Sequence, residues 1–289
     1  MNRLAHEICA ALGTSAVEVT ELPAVGARRA LRILSADAPL FVKSRPAAQA
    51  DLFAAEAEGL AMLTDAGRFR VPRVFGQGKH GNDAWLALEW LDLTPLRSHD
   101  DGVLFGDALA GLHARHGERY GLARDNWLGD SLQENGWAAS WPLFYAQRRI
   151  APQIARLIEN GERGELLRTL QALIERIPAL FLDYRPAASL LHGDLWHGNA
   201  GMVDGRPAIF DPAVHFGDRE SDYAMTELFG GFPLSTYASY QKAAPLDPGA
   251  ASRRDLYRLY HLLNHLLLFG EAYRRETART AARLLSSLR

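Results

Sequence analysis

The chain has 289 residues, 48% hydrophobic and 23% charged, with a formal net charge of -2. That is the balance of a globular protein with a sizeable core. It provides no basic field for nucleic acid or anionic lipid, and no run approaches the roughly 18 apolar residues of a transmembrane helix. The lone cysteine, Cys9, cannot form an internal disulfide, and Met1 to Leu12 is interrupted by His6 and Glu7 where a signal peptide needs an apolar core, so a cytoplasmic protein is expected.

Leu4, Ile8 and Leu12 recur at helical spacing before Gly13, which predicts a short amphipathic helix. Val17 to Leu22 and Ala30 to Leu34 read as strands joined by Pro23 to Arg29, a connection with one glycine. An ordinary turn and a phosphate-covering loop, with Arg28 or Arg29 supplying charge, both remain open there. Leu40-Phe41-Val42-Lys43 ends a third strand on a lysine, and Pro46 to Ala66 is a helical pattern. Leu52, Glu56, Leu60 and Leu63 follow steps of three and four, which puts Glu56 rather than Glu58 on the inward face. A lysine and glutamate so placed suit a pair that aims the lysine at nucleotide phosphates, although a lysine at a strand end is also a common solvated edge residue.

Val71 to Phe75 and Ala84 to Leu91 are two more strand patterns, separated by a turn-rich loop, 76–83. Together these segments predict a five-stranded antiparallel sheet with one helix. The chain then reaches Thr94-Pro95, a hinge candidate, and the backbone at Glu89, Trp90 and Leu91 would meet an adenine edge. From Val103 the pattern turns helical, with Leu104, Leu109, Leu112 and His113 on one face. A stretch of another kind follows, in which Trp127, Trp137 and Trp141 stand among Asn126, Gln133 and Asn135 without a regular period. Such residues either cap a core or wall a polyol site. Two long helices are expected at 142–159 and 164–181, and a helix over 257–269 carries His261 and His265. Their spacing resembles a zinc pair, but Leu262 stands where a hydrolytic site would need glutamate.

The most informative stretch is His192-Gly193-Asp194-Leu195-Trp196-His197-Gly198-Asn199, with Asp211-Pro212 beyond it. A kinase catalytic loop needs an Asp to take a hydroxyl proton and, after four residues, an Asn to hold magnesium. Asp194 and Asn199 have that spacing. Asp204-Gly205 between short apolar runs is a hairpin signal, which would return the chain so that Asp211 stands beside Asn199 as a second metal-binding oxygen donor.

His-Gly-Asp-Leu-Trp-x-Gly-Asn, the Asp211-Pro212-Ala213 that follows, Gly217-Asp218-Arg219-Glu220 and Gly230-Gly231-Phe232-Pro233 resemble the fructosamine-3-kinase family. The similarity extends from Phe41-Val42-Lys43 to Phe269-Gly270, most of the chain. It implies an α+β, bilobal, protein-kinase-like fold, with an N-terminal nucleotide lobe over 1–92 and a mainly helical catalytic lobe over 93–289. It also implies transfer of the ATP γ-phosphoryl group to the 3-hydroxyl of a ketosamine, free or on a glycated protein, as deglycation repair. ATP and Mg2+ are the implied cofactors. Asp194 is then the base, Lys43, Glu56, Asn199 and Asp211 bind nucleotide or metal, and Trp196, Trp127, Trp137 and Trp141 line the acceptor site. The family usually carries adjacent glycines in its first hairpin, where this chain has Pro23 to Arg29. A kinase for an aminoglycoside- or choline-like acceptor and a nucleotide-binding pseudokinase are the alternatives.

Overall fold

A computed structural model describes residues 3–23 and 29–288. In chain order, the N-terminal elements are α1 (Arg3–Ala11), β1 (Ala16–Leu22), β2 (Arg29–Ser35), β3 (Pro39–Pro46), α2 (Ala50–Ala66), β4 (Val74–His80) and β5 (Asp83–Glu89). Next come α3 (His99–His113), β6 (Asn126–Leu128), β7 (Ser131–Gln133), α4 (Trp141–Tyr145), α5 (Ala151–Glu159), α6 (Glu165–Ile174) and β8 (Ser189–Leu191). The rest are β9 (Ala200–Val203), β10 (Arg206–Ile209), β11 (His215–Gly217), α7 (Glu220–Thr226), α8 (Leu234–Ala243), α9 (Ala250–Phe269) and α10 (Arg274–Ser287). The described residues fall into two compact units, one of residues 1–94 with 202–211 and one of 95–201 with 212–289.

The first unit is built on a sheet of order β1-β2-β3-β5-β4, antiparallel throughout. Alternation sets its core: Leu31 and Ile33 on β2 and Leu40 and Val42 on β3 are buried, and Leu4, Ala5, Ile8 and Cys9 of α1 pack against them. The expected helix, α2, buries Phe53, Glu56, Leu60 and Leu63 and ends at Gly67 in the left-handed conformation. The loop expected over 76–83 is instead mostly strand. Trp85 lies across Gly76 and Gly78, where an added Cβ would come within 2.8 Å of Leu12 and 2.9 Å of Trp85 respectively, so those glycines serve close packing rather than a turn. The turn is confined to Gly81 and Asn82.

The β9–β10 hairpin turns where the sequence indicated. Asp204 and Gly205 both have positive φ, 49° and 73°, as a two-residue turn between twisted strands requires. Its outer part belongs to the first unit through Thr94, which exchanges backbone hydrogen bonds with Met202, and through Arg70, which is bonded to Pro207 and Ile209.

The second unit is mainly helical. Its core runs from Trp141, Phe144 and Tyr145 through Leu170 and Leu173 to Tyr257, Leu259, Leu263 and Leu284. Helix α3 begins earlier than the apolar pattern indicated, because Ser98 and Asp101 form a reciprocal capping box. Leu104 is half-exposed, and the buried face carries Phe105, Leu109, Leu112 and His113. The helix expected over 142–159 contains a π-helical turn, Ala146–Ile150, between α4 and α5. Pro152 has no N–H for the carbonyl four residues back, and the Arg149 guanidinium donates to that Arg148 carbonyl at 3.0 Å.

Candidate functional site

Each unit holds part of the predicted constellation. In the first, Lys43 on β3 meets Glu56 on α2, with Nζ 2.6 Å from Oε1, and also bonds Asp211 at the end of the hairpin. Burial works against the ammonium charge, but Asp211 and Glu56 outweigh it and hold Lys43 above its ordinary pKa. Glu56 is also raised, by burial first, with Lys43 pulling the other way. Glu58 is exposed. Asp211 adopts φ +54°, a left-handed conformation that a short polar side chain tolerates better than a bulky one. With one carboxylate oxygen on Lys43, the other remains a hard oxygen donor on a side chain 39% exposed.

At the end of β5, the N–H groups of Glu89 and Trp90 donate to the carbonyls of Arg73 (2.8 Å) and Pro39 (3.2 Å). The Glu89 carboxylate pairs with Arg70, and the Trp90 indole donates to Asp92 at 2.8 Å. The Leu91 carbonyl accepts from Leu93. Arg29 starts β2 opposite Ser44 and lies 3.5 Å from Glu21, whereas Arg28 lies outside the described residues.

In the second unit the catalytic-loop sequence follows β8 and is fixed from beneath by Asp222 of α7. Its carboxylate, 2% exposed, accepts the N–H groups of His192 at 2.7 Å and Gly193 at 2.9 Å, and lies 3.3 Å from His113 Nε2. Burial raises the Asp222 pKa, but His113, His192 and the Gly193 N–H outweigh that and hold it below the usual carboxylate range. His113, itself pushed down by burial, completes the support through Tyr240 at 2.8 Å. Gly193 has φ +82°, and a Cβ there would lie 2.1 Å from the Ala213 carbonyl oxygen, so only glycine lets the loop turn at this point.

Asp194 is oriented by Asn199, whose side-chain nitrogen donates to the Asp194 carbonyl at 2.9 Å and to its Oδ2 at 3.0 Å. That leaves the Asn199 amide oxygen as an acceptor. Asp194 Oδ1 lies 3.9 Å from His261 Nδ1 of α9. The Trp196 ring stands edge-on to Phe229 at 6.0 Å, and Gly198 leaves room for it to fold back over the chain.

The other tryptophans diverge. Trp141 is 1% exposed, bonded to Tyr257 and stacked on Phe144, which makes it a core residue with no open face. Trp127 is half-buried, and Trp137 is exposed beside Phe216. The amides between them point inward. Asn126 donates to the Val214 carbonyl and Gln133 to Ala213, while Asn135 and Gln133 both donate to Asn126. Arg149, fully buried, bonds Asn135 at 2.7 Å. This network holds the backbone carbonyls of residues 213 and 214, just beyond Asp211-Pro212. In the sequence these amides point to a sugar, with no sign of the backbone they satisfy, and Asp222 stands in no motif that marks it as a support of the loop. Of the histidine pair on α9, His265 has its Nδ1 bonded to the His261 carbonyl at 2.9 Å, and among the described residues no group of three or more His, Cys, Asp or Glu is placed to hold a metal.

Residues 1–287 match the fructosamine kinase family model. A probable ketoamine kinase of Vibrio parahaemolyticus is 41% identical over 81% of this chain and 81% of its own length, and one from Synechocystis is 39% identical over 82% and 79%. A solved structure assigned to a fructosamine-3-kinase of Haemophilus somnus superposes with a TM-score of 0.90 at 29% identity, covering 96% of both chains. A thermostable mutant of the aminoglycoside phosphotransferase APH(4)-Ia, at 13% identity and a TM-score of 0.68 over 97% of this chain and 96% of its own, shares the kinase-like fold. With a five-stranded antiparallel sheet, a helical second unit and a family match along nearly its whole length, this chain belongs to the fructosamine kinase family of phosphotransferases that act on a hydroxyl acceptor.

Proposed function

We propose that this protein transfers the γ-phosphoryl group of ATP to the 3-hydroxyl of ketosamines, on free amines or on glycated proteins. The observation that carries the site assignment is the pairing of Lys43 with both Glu56 and Asp211, since a lysine held by two carboxylates is aimed and kept charged for phosphate. Asp194 takes the proton of the acceptor hydroxyl as its oxygen bonds to the γ-phosphorus and the bond to the β-phosphate oxygen breaks, releasing ADP. Asn199 on Oδ2 keeps the carboxylate turned for that role. The adenine edge meets the strand end at Glu89, Trp90 and Leu91.

The Asn199 amide oxygen and the second Asp211 carboxylate oxygen are each hard donors of the kind Mg2+ takes, a cation usually held by few protein ligands plus phosphates. A bound Mg2+ would neutralise phosphate charge. Trp196, rather than the buried Trp141, is the aromatic we assign to the acceptor. Enolisation of the C2 carbonyl toward C1 lets the C3 phosphate depart, and water hydrolyses the resulting C1 imine, so the product sheds its amine and the physiological outcome is deglycation. A cytoplasmic setting accords with the buried free thiol of Cys9.

The test supplies fructosyl-lysine, ribulosyl-lysine, an aminoglycoside and choline in parallel, with ADP release and mass-spectrometric identification of product. Phosphorylation of a ketosamine on O3 is expected. Asp194→Asn should lose turnover by roughly 10²–10⁴-fold while retaining nucleotide affinity. Phosphorylation of the aminoglycoside or choline with both ketosamines untouched overturns the acceptor assignment.

A further inference from the structure

His261 is 4% exposed, and its Nδ1 has no hydrogen-bond partner although it faces Asp194 Oδ1 at 3.9 Å. A buried polar nitrogen without a partner calls for an explanation, and this one stands beside the carboxylate assigned to the acceptor hydroxyl. The separation is too long for a direct hydrogen bond, so the carboxylate and the imidazole do not satisfy each other. It is a suitable span for two adjacent oxygens, one on each group. The imidazole is also uncharged at working pH: burial first, then His265 and Arg149, push its pKa down to about 3 against the opposing effect of Asp222. Beside a carboxylate, the tautomer carrying its proton on Nδ1 is favoured, so Nδ1 is a donor.

We propose that His261 is a specificity-determining residue that donates from Nδ1 to the 4-hydroxyl of the ketosamine while Asp194 receives the proton of the adjacent 3-hydroxyl. This rests on the ketosamine reading and adds to it a requirement for a vicinal diol. A donor on the reacting oxygen itself would occupy a lone pair needed at phosphorus, whereas a donor on its neighbour fixes the diol without that penalty. The C3–C4 diol persists in both ring and open-chain sugar, unlike the C2 oxygen, which alternates between hydroxyl and carbonyl. The donor therefore meets the same group in every form of the substrate. A site built to bond a hydroxyl discriminates strongly against an analogue that lacks it, because the buried polar group is then left unpaired.

The experiment compares wild type, His261→Ala and His261→Asn on fructosyl-lysine and 4-deoxyfructosyl-lysine, with KM for ATP and thermal unfolding measured alongside. Asn places an amide nitrogen near the position of Nδ1. Wild type should lose tenfold to a hundredfold in kcat/KM on the deoxy sugar. His261→Ala should fall to that level on fructosyl-lysine and no longer distinguish the two, and His261→Asn should recover part of the difference, all with unchanged KM for ATP. If His261→Ala is as active as wild type, or falls equally on both sugars and so still discriminates, the assignment is overturned. Wild type that phosphorylates no ketosamine overturns the ketosamine reading itself, and this one with it.

Discussion

Replacing Asp222 with Asn separates support of the catalytic loop from chemistry within it. The carboxylate offers one oxygen to the His192 N–H at 2.7 Å and the other to the Gly193 N–H at 2.9 Å. An amide has a single acceptor oxygen, so one N–H is left facing an NH₂ group. A hydrogen bond to a buried charged group contributes about 1.5–3 kcal/mol. At about 2–4 °C per kcal/mol for a chain of this size, the unfolding midpoint should fall by about 3–12 °C. Because Asp194 is two residues from His192, a small misplacement should lower kcat by about tenfold to a hundredfold and leave the KM for ATP near its wild-type value. The pH dependence has a defined sign. With its folded pKa depressed, Asp222 contributes stability that is complete above the ordinary carboxylate pKa and is lost as pH falls through its own lower value. The stability difference between wild type and Asp222→Asn should thus be flat near neutrality and shrink only below about pH 4. Calorimetry across pH with steady-state kinetics at pH 7.5 reads all three quantities. An Asp222→Asn protein with wild-type midpoint and kcat would refute the view that this carboxylate holds the loop.

Glu56→Gln removes one of the two carboxylates on Lys43; the KM for ATP should rise about tenfold, equivalent to about 1.4 kcal/mol, while Glu58→Gln leaves it unchanged, as initial-rate measurements would show. Asp218 is pushed up to about 7 by burial and by Glu220, so the folded protein keeps a proton that the unfolded chain loses above the ordinary carboxylate pKa. The stability it contributes is present at low pH and lost as pH rises toward 7, so Asp218→Asn should flatten that slope in denaturant unfolding series between pH 4.5 and 7.5.

What could be read from the sequence and what could not divide along a physical line. Periodicity reports which face of an element is apolar, so α1, α2 and the five strands of the first sheet followed from it, though not their order, as did the inward choice of Glu56 over Glu58. The Asp204-Gly205 turn was legible because only a few residue types accept two successive positive φ values. Periodicity cannot say what a glycine or an amide is for. Gly76 and Gly78 carried a turn signal, yet they lie within a strand because Leu12 and Trp85, the latter on the paired strand β5, need the space. Asn126, Gln133 and Asn135 carried the signal of a sugar site, yet each is bonded within the protein, to the backbone at 213–214 or to one another. An amide satisfies a backbone group and a sugar hydroxyl by the same chemistry, and only the fold decides which is within reach. The same ambiguity hid His261. On a helix of apolar residues it reads as a core histidine with a satisfied ring, and its sequence spacing to His265 points toward metal. Its distinguishing property is a nitrogen left without a partner 3.9 Å from a carboxylate 67 positions earlier in the chain. Such a vacancy in bonding arises only from packing, so no local pattern encodes it. It follows that the group proposed to choose the acceptor is legible mainly in three dimensions, whereas those proposed to handle phosphate, confined to short motifs by the geometry of transfer, are legible in one.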